Sequence, residues 1–219
     1  SGDDPKRFAE DAFAGLFGVV LLVSVIATIA MPWLVLAMAS GFAGDERFPL
    51  AVIYGRICFP YILLMSLTAL LSGLLNAGGR FVAAAAAPVL MNVVLIAAML
   101  MAERFGWDMG LAMAWSTPVS GLVQLGTVWF AARRMGFPLR LRLPRMTADL
   151  RRLLAIAAPA VLAGGVVQVN LLVGRQVASF YEGAIGWLTY ADRLYQLPLG
   201  VVAIAIGVVL LPDISRRLK

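Results

Sequence analysis

The sequence predicts an all-α protein, a polytopic membrane helix bundle, and three observations support this fold class. Of the 219 residues, 62% are hydrophobic and 14% are charged, with a mean hydropathy of +0.90. Soluble domains average about 45–50% apolar and about 25% charged residues. The apolar residues fall into six segments, each long enough for the roughly 20-residue helix that crosses a bilayer. Every segment carries a proline, so the sequence predicts six transmembrane helices with proline kinks.

The six segments, which we call A to F, occupy residues 12–39, 50–76, 82–103, 108–132, 152–179 and 184–211. Their prolines are, in order, Pro32, Pro60, Pro88, Pro118, Pro159 and Pro198. Six kinked helices indicate a bundle that encloses a cavity or moves, although proline is common in membrane helices in general. Gly164 and Gly165 follow Pro159 closely, which makes segment E the best predicted hinge, and Pro198 is a second one.

The basic residues predict the orientation of the chain, because cytoplasmic loops of membrane proteins are enriched in Lys and Arg. One side of the predicted bundle carries thirteen Lys and Arg residues, and the other carries two, Arg47 and Arg104. The richer side includes both ends of the chain, the B–C turn and the D–E connection. We therefore expect both ends to lie in the cytoplasm.

The D–E connection, RRMGFPLRLRLPRMTADLRR, is the longest segment that does not span the membrane. Its arginines alternate with apolar residues, which is typical of a stretch that lies on an anionic inner leaflet. It divides the chain into residues 1–134, a basic amphipathic linker at 135–151, and residues 152–219. The chain begins SGDDPKRF, without Met, and we expect it to be a piece of a longer protein.

The side-chain inventory argues against an enzyme. The chain has no His and a single cysteine, Cys58, so it lacks the usual general base and any internal disulfide. It contains no Walker A, HExxH, GxSxG or GxGxxG motif. We expect no catalytic residue, metal site or cofactor. The net charge of +6 does not predict a nucleic-acid partner, because the basic residues flank membrane segments.

Three arginines lie inside apolar segments: Arg56 in B, Arg175 in E and Arg193 in F. Each is four to nine residues from the predicted outer end of its segment, about 6 to 14 Å deep at 1.5 Å per residue. They are either one cationic layer facing a cavity or long side chains that bend back to the headgroups. Arg193 is the deepest, so it is the strongest candidate for a functional charge.

Segment F places an acid beside this arginine, in the stretch WLTYADRLYQLPLG. Adjacent helical residues point about 100° apart and do not pair well. Arg193 instead shares a helix face with Tyr190 and Gln196, which forms a polar stripe. Asp192 is left to pair with another helix, and a structural salt bridge to Arg175 or Arg56 is its favoured role.

Three stretches resemble a known family. They are FPYILLMSLTALLSGLLNAGGRF at 59–81, APVLMNVVLI at 87–96 and YADRLYQLPLGVVAIAIGVVLLPDISR at 190–216. Through them the chain resembles the MurJ, or MviN, lipid II flippases of the multidrug/oligosaccharidyl-lipid/polysaccharide exporter superfamily. The resemblance covers essentially the whole chain. It implies a two-lobe transporter of fourteen membrane helices, of which A to F match the third to the eighth.

The resemblance also implies a function. Family members move the undecaprenyl-pyrophosphate-linked peptidoglycan precursor across the bacterial inner membrane by alternating access, without ATP hydrolysis. An arginine of their ADR sequence is functional and matches Arg193 here. Its planar donors suit a pyrophosphate. Arg56 is the weaker substrate-binding candidate, and Asp192, Gln196, Tyr190 and Arg175 are secondary candidates.

Two departures from the family limit this reading. The family's other cavity charges lie on its first two helices, which precede the matched region, so those helices are expected partners of this chain. Segment E has no acid at the place where some members bind sodium, so we predict no sodium site. The alternatives are an exporter of another lipid-linked oligosaccharide or a drug, and a membrane scaffold without transport of its own.

Overall fold

The computed structural model describes residues 5–136, 148–196 and 198. Within these ranges the chain is all-α and contains no strand, which confirms the predicted fold class. A short 3₁₀ helix, Ser40–Phe42, follows α2, and residues 184–196 form a further helix. The seven main helices are α1 (Pro5–Ile29), α2 (Met31–Met38), α3 (Arg47–Cys58), α4 (Tyr61–Ala77), α5 (Val82–Phe105), α6 (Met109–Arg134) and α7 (Ala148–Ala178).

Two of the predicted proline kinks are breaks between helices. Pro32 follows the junction of α1 and α2, and Pro60 lies between α3 and α4, so segments A and B each consist of two helices. Helices α5, α6 and α7 continue through their prolines, Pro88, Pro118 and Pro159. Within the described chain, two of the five prolines in these segments thus lie at a junction between helices and three lie inside a continuous helix.

Three stretches of the described chain are long and apolar enough to cross a membrane: Glu10–Ile29, Arg47–Ala77 and Val82–Phe105. They correspond to segments A, B and C. Helices α6 and α7 have 26 and 31 residues and match segments D and E. Half of segment F, residues 197 and 199–211, lies outside the described residues, so the count of six spans stays a prediction.

Helices α5 and α6 have clear end signals in the sequence. Helix α5 ends at Gly106, whose φ of 68° is the left-handed conformation that glycine adopts without a Cβ clash. Helix α6 starts after Asp108, whose side chain accepts a hydrogen bond of 2.6 Å from the amide of Leu111. An aspartate cap of this kind satisfies one of the free amide groups of the first turn. The two signals fix a short turn between α5 and α6.

The core lies where α4 and α6 meet α1 and α5. The side chains of Leu71, Leu75 and Val128 are fully buried there. Phe13 of α1 packs edge-on against Trp129 of α6, with 5.6 Å between the ring centres. The hydrophobic effect contributes little to the association of helices within lipid. Membrane helices therefore depend on close van der Waals packing of this type. This core fixes α1, α4, α5 and α6 as one unit.

Contacts at the two ends of the bundle show that segments B and D run in the same direction. Gly78, after α4, lies against the side chain of Met135, after α6. At the other end, Tyr54 of α3 approaches Asp108 before α6, with 3.4 Å between its hydroxyl and the carboxylate. The B–C turn and the end of D thus share one end of the bundle, as the distribution of charges predicts. Helix α7 begins at Ala148, inside the predicted linker 135–151, of which residues 137–147 lie outside the described residues.

Candidate functional site

The helix at 184–196 carries the polar stripe that the sequence singled out. Arg193, Tyr190 and Gln196 are all exposed, and Tyr190 is 73% exposed. The three residues recur at three-residue intervals, which places them on neighbouring turns of one helix face. An exposed arginine between an aromatic ring and an amide is a suitable arrangement for binding an oxyanion.

The salt bridge predicted for Asp192 is not formed. Asp192 is partly buried, but in the part of the chain that the structure describes the one salt bridge joins Arg47 to Asp45. The favoured pairing of Asp192 with Arg175 or Arg56 was therefore wrong. The helical periodicity places Asp192 on a different face from Arg193, but it contains no information on the distance to another helix.

Arg56 has a structural contact that the sequence reading did not foresee. Its Nε donates a hydrogen bond of 3.3 Å to the backbone oxygen of Thr28 in the last turn of α1. In a regular helix this oxygen would accept from the amide four residues later, but that residue is Pro32, which has no N–H. Arg56 thus supplies a donor to the carbonyl group that the proline leaves without its helical partner, while its side chain stays exposed.

Arg175 lies in the last turn of α7, and its side chain is exposed. A cation near a helix C-terminus is favoured by the helix dipole. At this position Arg175 could either face a cavity together with the other two arginines or bend back to the lipid headgroups. No described hydrogen bond or salt bridge joins Arg56, Arg175 and Arg193 to one another.

A cavity of about 450 Å³ lies between α5 and α6, and it contains none of these arginines. Its wall is apolar and includes Trp107 and Trp115. The predicted common site of Arg56 and Arg193 therefore does not coincide with this cavity.

The predicted hinge of segment E lies inside a continuous helix. Gly164 and Gly165 both belong to α7, and a Cβ atom placed on either glycine would meet nothing within 4 Å. Pro198 is helical and exposed. The absence of a close neighbour at either glycine is compatible with bending at this point.

The sequence reading missed a polar contact between the loop after α2 and the end of α7. The backbone amide of Ser40 donates to Gln176 Oε1 at 3.0 Å, and the amide of Gly41 donates to Ser179 Oγ at 3.0 Å. Gln176 also donates from its own amide to Ser40 Oγ. We call these four residues the clasp. The partners are 136 and 138 residues apart, and no motif connects them.

The whole chain, residues 1–219, matches the family model described as lipid II flippase MurJ. The chain belongs to the lipid II flippase MurJ family. It is 48% identical over 222 residues to a probable lipid II flippase MurJ of Rhizobium tropici and 45% identical over 222 residues to one of Rhizobium meliloti (strain 1021). It is also 37% identical over 226 residues to the lipid II flippase MurJ of Burkholderia cenocepacia. These alignments cover 98 to 99% of the chain.

The chain spans 42 to 43% of the length of these MurJ relatives. The matched region includes the core of α1, α4, α5 and α6, the clasp, and the helix with Arg193.

Proposed function

We propose that this chain is part of a lipid II flippase. The full protein would move the undecaprenyl-pyrophosphate-linked peptidoglycan precursor across the bacterial cytoplasmic membrane by alternating access, as a transporter and not as an enzyme. Both ends of the chain would lie in the cytoplasm, and the basic stretch at 135–151 would contact the anionic inner leaflet. The observation that carries the proposal is the match of all 219 residues to the family model.

Arg193 is the residue that we propose to bind the substrate. Its guanidinium group offers several N–H donors in a plane, which match the oxygens of a pyrophosphate better than a point charge does. Its exposure on the 184–196 helix leaves these donors free for a ligand. Tyr190 and Gln196 flank it and would orient the headgroup, whereas Asp192 lies on another face and would not contact the phosphate.

Arg56 is the second proposed substrate-facing cation, but it has a competing role. Its contact with the Thr28 carbonyl supports the break between α1 and α2. An arginine carries five N–H donors, so one bond to the backbone leaves others for a ligand. Arg175 is a weaker proposal, because its place in the last turn of α7 also suits a headgroup contact. Gly164, Gly165 and Pro198 would permit the bending that alternating access requires.

The test is complementation in a strain depleted of its own flippase, with a full-length family protein that carries this sequence. We expect Arg193→Ala to abolish growth while the protein still inserts at wild-type levels. Arg104→Ala is the matched control, because Arg104 is also an exposed arginine but lies in the last turn of α5, outside the proposed site. Full complementation by Arg193→Ala would refute the assignment of this residue.

A transport assay tests the substrate itself. Purified full-length protein in vesicles should translocate lipid II, and translocation of an undecaprenyl-linked oligosaccharide of a different kind in its place would contradict the proposal. A protein that moves no lipid in vesicles and does not complement would instead point to a scaffold.

A further inference from the structure

The clasp joins two parts of the chain that belong to different lobes in the proposed transporter. Ser40 and Gly41 follow α2 in the first lobe, and Gln176 and Ser179 are at the end of α7 in the second. All four lie at the end of the bundle opposite to the Gly78–Met135 contact. The charge distribution predicts that this end faces outward, away from the cytoplasm.

The clasp satisfies groups that each partner would otherwise leave open. Ser40 and Gly41 begin the 3₁₀ helix Ser40–Phe42, and the first amides of a helix have no partner within it. Gln176 and Ser179 accept from both of these amides. The Ser179 hydroxyl also donates to the Gln176 carbonyl at 2.7 Å, so its donor and one acceptor position are both used.

The approach at Gly41 is close enough to require glycine. A Cβ atom at this position would lie 2.5 Å from the backbone carbon and oxygen of Ser179, well inside van der Waals contact. Ser179 itself is fully buried. The contact is therefore a tight backbone-to-backbone packing with hydrogen bonds on either side, and it exists only while the two segments are together.

In the turns just before the clasp, helix α7 is otherwise little covered by the described chain. Its main contacts are with α1, α2 and the 3₁₀ helix. Between residues 168 and 177 every side chain is exposed except that of Gln176. The helix is thus attached at its clasp end and uncovered along the adjoining turns. In the described chain, the contact between the end of α7 and the segment after α2 is thus concentrated at the clasp.

We infer that the clasp is a reversible latch that holds the outward end of the transporter shut. This inference rests on the proposed alternating access, in which the two lobes part at one side of the membrane and then at the other. Release of the latch exposes two amides, one side-chain amide and two hydroxyls at the membrane surface, where water replaces their lost partners. The net stabilisation from each such bond is small, so the latch opens without a chemical energy source.

The loop that carries Ser40 and Gly41 is itself held in shape. Arg47 pairs with Asp45, and its guanidinium carbon lies 4.6 Å from the centre of the Phe42 ring. These contacts are local and do not involve α7. The donors of the latch therefore keep their positions when the latch opens, which favours its closing again.

The experiment measures the distance across the latch in a full-length family protein with all cysteines removed, including Cys58→Ser. Spin labels are placed on Ala43→Cys and Glu182→Cys, which are exposed and flank the clasp on its two sides. Pulsed electron paramagnetic resonance in lipid nanodiscs gives the ratio of short to long distances. We expect Gln176→Ala to lower that ratio by about five- to thirtyfold, since one or two net hydrogen bonds are lost.

Gln168→Ala is the matched control for the loss of the amide, because Gln168 is an exposed glutamine of the same helix outside the clasp. Gly41→Ala should also favour the long distance by preventing close approach. Its control is Gly186→Ala, where a Cβ atom would meet nothing within 4 Å. Ser40→Ala, which removes one acceptor, should give a smaller change in the same direction.

An unchanged distance ratio in both Gln176→Ala and Gly41→Ala would overturn the latch. The measurement requires no substrate, so it is separate from the test of the proposed function. Distances that lengthen as expected in a protein that does not translocate lipid II would support the latch and contradict the substrate assignment.

Discussion

The Nε atom of Arg56 lies 3.3 Å from the backbone oxygen of Thr28, the carbonyl group that Pro32 deprives of its usual helical donor. A break in a membrane helix leaves such groups without water, and a side chain from a neighbouring helix commonly satisfies them. Arg56 therefore links the end of α1 to α3 at the junction of α1 and α2.

This link predicts a coupling between Arg56 and Pro32. Arg56→Ala should destabilise the protein by about 1 kcal/mol, the net value of one hydrogen bond. In a Pro32→Ala background the new amide group replaces the arginine, so the same change should cost less. A double-mutant cycle of unfolding in detergent measures the coupling, with Arg104→Ala as the control. Equal costs of Arg56→Ala in the two backgrounds would show that the contact has no energetic role.

Two glycines of α6 predict opposite responses to alanine. A Cβ atom on Gly121 would lie 2.8 Å from the ring of Tyr61 and 2.9 Å from Leu64, whereas one on Gly126 would meet nothing within 4 Å. Gly121→Ala should destabilise the packing of α4 on α6 by about 1–3 kcal/mol, as overpacking does. Gly126→Ala should be neutral or slightly stabilising. Thermal unfolding in detergent compares the two, and equal midpoints would contradict the close packing at Gly121.

We expect the hydrogen bond between Gln124 of α6 and the Tyr61 hydroxyl of α4 to stabilise the packing of these two helices. Gln124 is 1% exposed and donates to the Tyr61 hydroxyl at 3.4 Å and to the Ser120 carbonyl at 3.2 Å. Tyr61→Phe removes the first of these acceptors and should cost about 1 kcal/mol. Adding Gln124→Leu to the Tyr61→Phe variant should restore part of that loss, because it removes the unpaired group. Denaturant titration of the two single variants and the double variant tests this, and additive losses would argue against a shared network.

The turn before α3 predicts a pH response. The hydrogen bond from the Arg47 side chain lowers the pKa of Asp45 from its ordinary 3.8. Because this pKa is lowered by folding, the ion pair stabilises the folded protein fully at a pH above the pKa of Asp45 in the unfolded chain. That stabilisation is lost as the pH falls through the lower pKa of Asp45 in the folded protein. The turn should therefore stay intact from neutral pH down to below 3.8, and Arg47→Gln should raise the pKa of Asp45. Carboxyl carbon NMR with labelled aspartate measures this, and an unchanged pKa in Arg47→Gln would be the contrary result.

Conservative replacement of Arg193 separates charge from geometry. Arg193→Lys keeps the cation but loses the planar donor pairs, so lipid II transport should fall by about tenfold, equivalent to roughly 1.4 kcal/mol. Rates in vesicles provide the measurement, with Arg104→Lys as the control. A wild-type rate in Arg193→Lys would mean that a positive charge alone is sufficient.

Segments C and D could be located from the sequence because their apolar stretches are bounded by clear signals, Gly106 and Asp108. Segment C was predicted at 82–103 and α5 ends at Phe105, where Gly106 stops the helix. The sequence did not show that segments A and B each consist of two helices and not of one kinked helix. Pro32 removes a backbone donor in either case, so the sequence alone does not distinguish a kink from a junction of two helices.

The candidate site was only partly predictable for a related reason. Periodicity placed Arg193, Tyr190 and Gln196 on one face, and their exposure agrees with a stripe. The predicted salt-bridge partner of Asp192 was wrong, because pairing between helices depends on the distance between them. The clasp gave no signal at all, since two of its donors are backbone amides that every residue except proline has.

That use of the main chain has a consequence for mutational scans of this protein. Exchange of the Ser40 side chain leaves the amide donor of position 40 in place, so alanine at this position reports only part of the contact. Only proline would delete the donor itself. Position 41 behaves in the opposite way, since every side chain is excluded by the Ser179 backbone. A scan would therefore show one tolerant and one intolerant residue side by side, although both hold the same two segments together.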